Sequence, residues 1–428
     1  MNRAAARVTT DLGATPSLHS IYRAVRCRSQ AIAEPLSAED CTVQSMPDAS
    51  PVKWHLAHTT WFFETFILER WARAYRAFHP GYRVLFNSYY NAVGDKHPRP
   101  ERGMLTRPSL DEVLAYRRHV DAAIEGLLAD SDEAPSEMTD LLELGLNHEE
   151  QHQELILTDV KHLLSRNPLS PTYAAGERRQ PRSTVHHDWI SFPGGLREVG
   201  APKGAFYFDN EGPEHQAFLQ PFELASHPVT CGQYRAFMDD GGYRRPELWL
   251  SLGWDTVRSL GWTSPYYWRQ AGGDWLEFTL QGLRPVDAHS PVCHLSYFEA
   301  DAYARWAGAR LPTEFEWEIA SANTPMDGNF LESGALHPQA AHRSSNGLDQ
   351  MFGDVWEWTQ SNYAPYPGYQ PAPGAVGEYN GKFMCNQYVL RGGSCATPQR
   401  HIRSSYRNFF PPEARWQFTG VRLARDAG

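Results

Sequence analysis

Between Leu146 and Arg166 the chain carries neither Gly nor Pro, while Leu155, Ile156, Val160, Leu163 and Leu164 recur at helical spacing. Such a stretch reads as one long amphipathic helix, and the run His148-Glu149-Glu150-Gln151-His152 falls inside it. Two imidazoles four residues apart project from one helix face and can bind a single metal ion. That pair is half a site. A second cluster, Trp54-His55-Leu56-Ala57-His58, lies on another helical stretch, with Ser50 as its expected N-cap and Pro51 at the first helical position. His58 or His55 can supply the third ligand. With 18 histidines in 428 residues the spacing decides little by itself. The second cluster, and Glu149, Glu150 and Glu154 as acceptors for imidazole N–H groups, are what point to a metal.

Composition narrows the setting. The chain is long enough for two domains with proper cores, and 14 Trp, 20 Tyr and 20 Phe mark a globular, aromatic-rich protein. No apolar run approaches the roughly 20 residues that span a bilayer, and Met1 to Pro16 lacks the apolar core of a secretory signal, so a soluble, cytoplasmic protein is expected. Six cysteines without Cys-x-x-Cys spacing argue against a zinc knot or disulfide framework. A net charge of −10 leaves no electrostatic footprint for nucleic acid, which makes small molecules the expected partners.

Helices are expected over Leu18–Ala33, Pro51–Tyr75, Leu110–Leu128 and Glu137–Leu164, the third announced by the capping box Ser109-x-x-Glu112. Four such stretches predict a four-helix bundle over residues 1–165, an architecture that builds metal sites from inward side chains of facing helices. Between the second and third lies an irregular stretch, Phe78–Pro108, with Asn87-Ser88-Tyr89-Tyr90-Asn91 and the basic residues Lys96, Arg99, Arg102 and Arg107. Long loops of this kind in compact domains are usually functional or disordered. Residues 166–187 are rich in Pro, Arg and Ser and read as an interdomain linker. From residue 188 to 428, short apolar runs, frequent Gly and isolated helices such as Tyr297–Gly308 describe a mixed α/β domain. The expected class is therefore α+β.

Several phrases of the second half fit one pattern together: Pro228-Val229-Thr230 with Tyr234 and Phe237; Ala309-Arg310-Leu311-Pro312-Thr313-Glu314-x-Glu316-Trp317-Glu318; Gly353-Asp354-Val355-Trp356-Glu357-Trp358; and Leu390-Arg391-Gly392-Gly393-Ser394 with Gly420-Val421-Arg422. They resemble the formylglycine-generating-enzyme-like domain, of C-type-lectin-like fold. The glycines of Arg391-Gly392-Gly393-Ser394 suit a tight turn, and Trp317, Trp356 and Trp358 are expected in the core. Formylglycine generators use a cysteine pair in the final segment, whereas only Cys395 stands here, so that activity is not expected. Asp354 and Glu357 are carboxylates that could hold a structural calcium or be hydrogen-bonded core.

Joined to a DinB-like bundle with a His…HxxxH set, this domain resembles the iron-dependent sulfoxide synthases of ergothioneine biosynthesis, from Leu56-Ala57-His58 to Tyr406-Arg407-Asn408-Phe409-Phe410. The resemblance implies Fe(II) held by His58, His148 and His152, dioxygen as co-substrate, and two organic substrates, hercynine and a thiol, joined at imidazole C2 as a sulfoxide. It gives His55 no role beyond support. Tyr90, or its neighbour Tyr89, is implied as the proton donor. Arg99 and Arg102 are implied as receivers of the donor's carboxylate, a role that suits bidentate guanidinium contacts. Hercynine's trimethylammonium needs aromatic faces, which Phe409, Phe410 and Trp416 offer, while Asn408 and Gln151 can serve its carboxylate or imidazole N–H. Free cysteine is the favoured donor. γ-Glutamylcysteine, a selenosugar giving selenoneine, and histidine in an ovothiol-type reaction remain alternatives, as do a zinc peptidase suggested by His148-Glu149-x-x-His152 and a lectin-like module on a metal-sensing bundle.

Overall fold

The computed structural model describes residues 16–129, 135–175, 188–341 and 347–427. The reading of Met1 to Pro16 falls almost wholly outside them, as does the second half of the expected linker, residues 176–187. The fold is α+β, with an N-terminal helical domain and a C-terminal mixed domain.

Four long helices form the first domain: α1 (Leu18–Ala33), α2 (Val52–Phe63), α3 (Leu110–Ala129) and α4 (Ser136–Ser165). Helix α2 packs against both α3 and α4, and α1 lies along α4. The capping box forms as expected: Glu112 accepts the Ser109 N–H at 2.7 Å, and Ser109 Oγ accepts the Glu112 N–H at 3.2 Å. Two expectations need correction. Pro51, not Ser50, occupies the N-cap of α2, because the Ser50 N–H is taken by Asp159 and its hydroxyl by Arg102. The second helix also does not run on to Tyr75. It passes into a π-helical turn at Glu64–Leu68 and stops at Trp71. Glu64 causes the chain to fold back, accepting from Tyr116 (2.5 Å), Tyr75 (2.7 Å) and the Phe78 N–H (3.1 Å).

The bundle is pinned at one buried carboxylate. Glu149 on α4 accepts from Arg26 of α1 and Arg117 of α3, each at 2.8 Å. The same guanidiniums reach α2, Arg26 through Thr60 Oγ1 (3.0 Å) and Arg117 through the Leu56 carbonyl (2.9 Å). All four helices therefore meet around one charge, and their rotational settings are fixed together.

In the second domain the sheet that bears on function has the order Asn408–Phe410, Tyr388–Arg391, Trp356–Asn362, Thr419–Gly420, antiparallel except for the last pair. The quoted motifs build its scaffold. Arg391 bonds Glu314 and Glu318, Arg422 chelates Glu357, and Trp317 donates to Glu357 at 2.7 Å, all buried. Gly392 and Gly393 adopt φ of +99° and +82°, and a Cβ on Gly392 would lie 2.7 Å from the Met351 carbonyl oxygen. No other residue fits that turn. The expected helix Tyr297–Gly308 ends at Trp306.

The two domains share a core. Bundle residues cluster with Tyr267, Phe278, Leu280, Cys293, Val355, Cys395 and Phe418 of the second half. The first part of the expected linker is also tied down: the Tyr173 hydroxyl donates to the Ile32 carbonyl at 2.7 Å, and its N–H to Leu280 O at 2.9 Å.

Burial would raise the Glu149 carboxyl, but Arg26 and Arg117 overcome it and hold the group down from 4.5 to about 2. A depressed folded value means that this stabilisation is complete above the ordinary carboxylate value and disappears as pH falls through about 2. Glu149→Gln leaves buried Arg117 without its anion and Arg26 with Asp121 alone, so denaturant unfolding at pH 7 should show a loss of about 3–5 kcal/mol. The variant should also lack Glu149's share of the acid-dependent loss of stability in that range.

Candidate metal centre and substrate cavity

Three imidazoles converge where α2 faces α4. One ring nitrogen from each of His58, His148 and His152 lies within 4.8 Å of the others, the single such cluster of His, Cys, Asp and Glu found among the described residues. Burial, reinforced by His148, keeps His58 and His152 well below the ordinary imidazole range, and burial holds His148 down at about 4. All three are neutral at pH 7, the form that ligates metals. Protein acceptors aim them. His58 Nδ1 lies 2.6 Å from the Phe86 carbonyl, so it carries the proton and leaves the Nε2 lone pair free. His152 Nδ1 is 2.7 Å from His55 Nδ1, and His55 Nε2 is 3.1 Å from Asp159. His148 Nδ1 is buried without a hydrogen-bond partner, as fits an atom kept for a metal bond. The residues present therefore fit a three-histidine metal centre.

The zinc-peptidase alternative fails on geometry. In that chemistry the Glu after the first His acts as general base at the metal-bound water. Here Glu149 lies on the other side of α4, locked between Arg26 and Arg117 and fully buried.

A cavity of about 280 Å³ opens beside the centre, between the bundle and the edge strand Asn408–Phe410. It brings together His58, His152, Tyr89, Arg99, Arg102, Gln151, Asn408, Phe409, Phe410 and Trp416, nearly the whole set of sequence-expected site residues. One end is cationic. The Arg102 guanidinium sits 3.4 Å over the Trp54 ring, and that indole stacks on His58 with centroids 4.6 Å apart. Burial, with Arg99 adding to it against Tyr89, lowers Arg102 from 12.5 to about 9, the mark of a buried cation short of a counter-anion. Arg99 donates to the Tyr89 hydroxyl at 3.0 Å, and the Nε atoms of both arginines are buried and unpartnered. The other end is aromatic. Phe409 stacks on Tyr363 with centroids 4.0 Å apart, and Phe410 meets Trp416 edge-on at 6.3 Å. The Trp416 indole N–H is buried and free. Gln151 donates to the Tyr406 hydroxyl at 2.7 Å, which turns its amide oxygen into the available acceptor.

Tyr90 and His148 line an adjoining, larger cavity of about 1140 Å³, which shares Gln151, Phe208, Tyr379 and Asn380 with the first. Tyr90 therefore faces the cavity that His148 lines, and Tyr89 the one that the arginines line.

Of the two readings of Asp354 and Glu357, the contacts support hydrogen-bonded core. Asp354 already accepts from Asn329 (2.7 Å), the Gln339 N–H (2.8 Å) and Gln350 (2.8 Å), and both Glu357 oxygens are taken by Arg422. Neither has an oxygen to spare. Trp356 lies in the core as expected, and in addition its indole donates to Glu154 at 2.8 Å and it lines the cavity. Sequence reasoning passed over Trp54, Asp159, Tyr379 and Phe383. The first two carried a signal: Trp54 is four residues before His58 and Asp159 seven after His152, both helical repeats.

Comparison with known proteins bears on this site. Residues 21–156 match the DinB superfamily, and residues 175–427 match the sulfatase-modifying factor enzyme 1-like domain. A hercynine oxygenase of Mycobacterium tuberculosis is 33% identical over 426 residues, covering 94% of this chain and 96% of that protein. The chain belongs to the hercynine oxygenase family. A second member, from Mycolicibacterium thermoresistibile, is 34% identical over 414 residues, covering 89% and 88% of the two chains. The formylglycine-generating enzyme of Streptomyces coelicolor is 31% identical over 308 residues, 60% of this chain and 95% of its own. The departure from that enzyme has a structural side, because Cys395 is fully buried and burial pushes its thiol well above the usual range. Among the described residues no helix is long and apolar enough to cross a membrane.

Replacing His152 with Ala removes one of three converging ligands. Metal analysis after gel filtration should show loss of the bound ion while the helical circular dichroism persists; full occupancy in the variant would reject the centre.

Proposed function

We propose that the protein is a non-haem Fe(II), dioxygen-dependent sulfoxide synthase that joins a thiol to imidazole C2 of hercynine. One observation carries the reading: a neutral three-histidine centre opens on a cavity with unpartnered arginine donors at one end and stacked aromatic rings at the other. The names of the mycobacterial relatives support it. In the reaction a C2–H and an S–H bond break, a C–S and an S=O bond form, and the second oxygen atom leaves as water, so the substrates supply all four electrons. Ferrous iron at His58, His148 and His152 would supply the redox-active centre at which dioxygen meets them.

The chain's own residues bind, orient and donate protons. Arg99 and Arg102 receive the donor's carboxylate, and Phe409, Phe410 and Trp416 face the trimethylammonium, with Asn408 and the Gln151 oxygen toward its carboxylate and ring N–H. Burial raises the Tyr90 phenol, so it keeps its proton until a stronger base forms beside it. Cysteine is the donor of this reading, ahead of γ-glutamylcysteine or a selenosugar, as the family resemblance favours. The test is anaerobic incubation of the Fe(II) protein with hercynine and each donor in turn, then oxygen, with product masses read out. Cysteine should give the sulfoxide; zinc-dependent peptide cleavage, or no oxygen uptake with any donor, would overturn the assignment.

Two variants probe the roles. Tyr90→Phe should retain iron and both substrates while losing most sulfoxide formation, with some flux diverted to plain thiol oxidation; an unchanged rate and product ratio would make Tyr90 a packing residue. A desolvated cation–π contact is worth ~2 kcal/mol, so Phe409→Ala should weaken hercynine about thirtyfold by calorimetry and leave iron binding intact. Histidine, with its better hydrated ammonium, should bind the native protein much less well than hercynine. Equal affinity would move ovothiol-type chemistry ahead.

A further inference from the structure

One carboxylate oxygen serves two neighbours, each of which leads on to a different part of the site. Asp159 Oδ2 accepts the Ser50 backbone N–H at 2.8 Å and lies 3.1 Å from His55 Nε2. Beyond His55 the chain continues to the metal centre, His55 Nδ1 standing 2.7 Å from His152 Nδ1. Beyond Ser50 it continues to the cationic end of the cavity, where Ser50 Oγ accepts from Arg102 at 2.9 Å. Ser50, His55, Arg102 and Asp159 are all buried, so water does not replace a broken link.

With His55 neutral, one proton arrangement satisfies these contacts. The carboxylate only accepts, so His55 carries its proton on Nε2 and presents Nδ1 as acceptor. His152 must then donate from Nδ1, which leaves its Nε2 lone pair for a metal. Asp159 thus sets the tautomer of a ligand on its own helix, two turns away, and through Ser50 it also fixes the guanidinium that faces the substrate.

We propose that Asp159 is a positioning residue that couples the metal centre to the arginine end of the cavity, so that binding of an anionic donor at Arg102 and binding of the metal at His152 strengthen one another. The proposal rests on the functional reading above. Coupling between two sites is reciprocal, and typical factors are about 5–150-fold. The variants separate the two arms. Ser50→Ala cuts the link to Arg102 and leaves the backbone N–H on Asp159, whereas Asp159→Asn disturbs both.

The experiment is anaerobic calorimetric titration of Fe(II) into native, Ser50→Ala and Asp159→Asn proteins, each with and without cysteine. Any direct sulfur–metal contribution is common to the three, so changes in the cysteine-dependent factor report the chain. Native protein should bind Fe(II) at least fivefold more tightly with cysteine present. Ser50→Ala should keep the native Fe(II) affinity in the absence of cysteine and lose most of that factor. Asp159→Asn should lose about 10–100-fold in Fe(II) affinity, as outer partners of metal-bound histidines typically do, together with the same factor. An identical factor in all three proteins would overturn the coupling. So would Fe(II) affinity falling in Ser50→Ala with the factor intact, which would make Ser50 merely structural. Should Asp159→Asn fail to fold, Ser50→Ala decides alone. Cysteine failing to bind the native Fe(II) protein would overturn this proposal and the choice of donor, while the reading of the protein as a synthase would fall only if no donor supports oxygen uptake.

Discussion

The buried contact of Glu149 with Arg26 and Arg117 is the constraint on which the rest of the structure depends. Helix α4 presents a different task at nearly every position of one short run, and that run works only if its rotation is fixed. With Glu149 held between α1 and α3, His148 and His152 face α2, and Gln153 reaches the Val25 carbonyl on α1 at 3.0 Å. Glu150 and Glu154 are then left facing the second domain. A hydrophobic face alone would tolerate a modest rotation, whereas a charge with two fixed guanidinium partners does not, because a misaligned buried carboxylate loses several kcal/mol.

The second domain docks on that exposed side through acceptors supplied by the same helix. Glu150 takes Arg400 at 2.6 Å and 3.0 Å, and Glu154 takes Ser394 (2.5 Å), Thr397 (2.6 Å) and the Trp356 indole (2.8 Å). Burial raises both carboxyls, Glu150 to about 7, so their bonds to the partner domain are what offset their desolvation. Gln151, between them, reaches Tyr406 and meets the cavity. The site is therefore made at a seam. The three converging histidines belong to the bundle, the aromatic wall to the edge strand Asn408–Phe410, and a single turn of α4 touches both.

How much of this could be read from the chain depended on whether the signal was local. The helices α1, α3 and α4 were legible from periodicity and from Ser109 and Glu112, and the histidine set from helical spacing. Most of the expected substrate residues came from resemblance, and the cavity does gather them. The break at Glu64–Leu68 was not legible, because it depends on Tyr116, far away in sequence, reaching back to Glu64. Ser50 looked like a cap because it precedes Pro51, but its groups are claimed by Asp159 and Arg102. Asp354 and Glu357 looked like spare carboxylates for the same reason: a sequence shows a carboxylate, and only the fold shows that Gln350 or Arg422 already occupies it.

The placement of the two tyrosines follows from the same seam. Adjacent residues in an irregular segment point different ways, so Tyr89 turns to Arg99 and meets Phe383 edge-on at 4.9 Å, while Tyr90 packs on Trp61 and Phe66 beside the cavity that His148 lines. The first phenol is bound to a guanidinium that lines the smaller cavity, and its hydroxyl oxygen is already an acceptor. The second is apolar on its ring faces and keeps its proton. The roles proposed for them, one phenol that anchors a cation and one that gives up a proton, need opposite surroundings. Turning the two side chains toward different cavities provides both within one dipeptide.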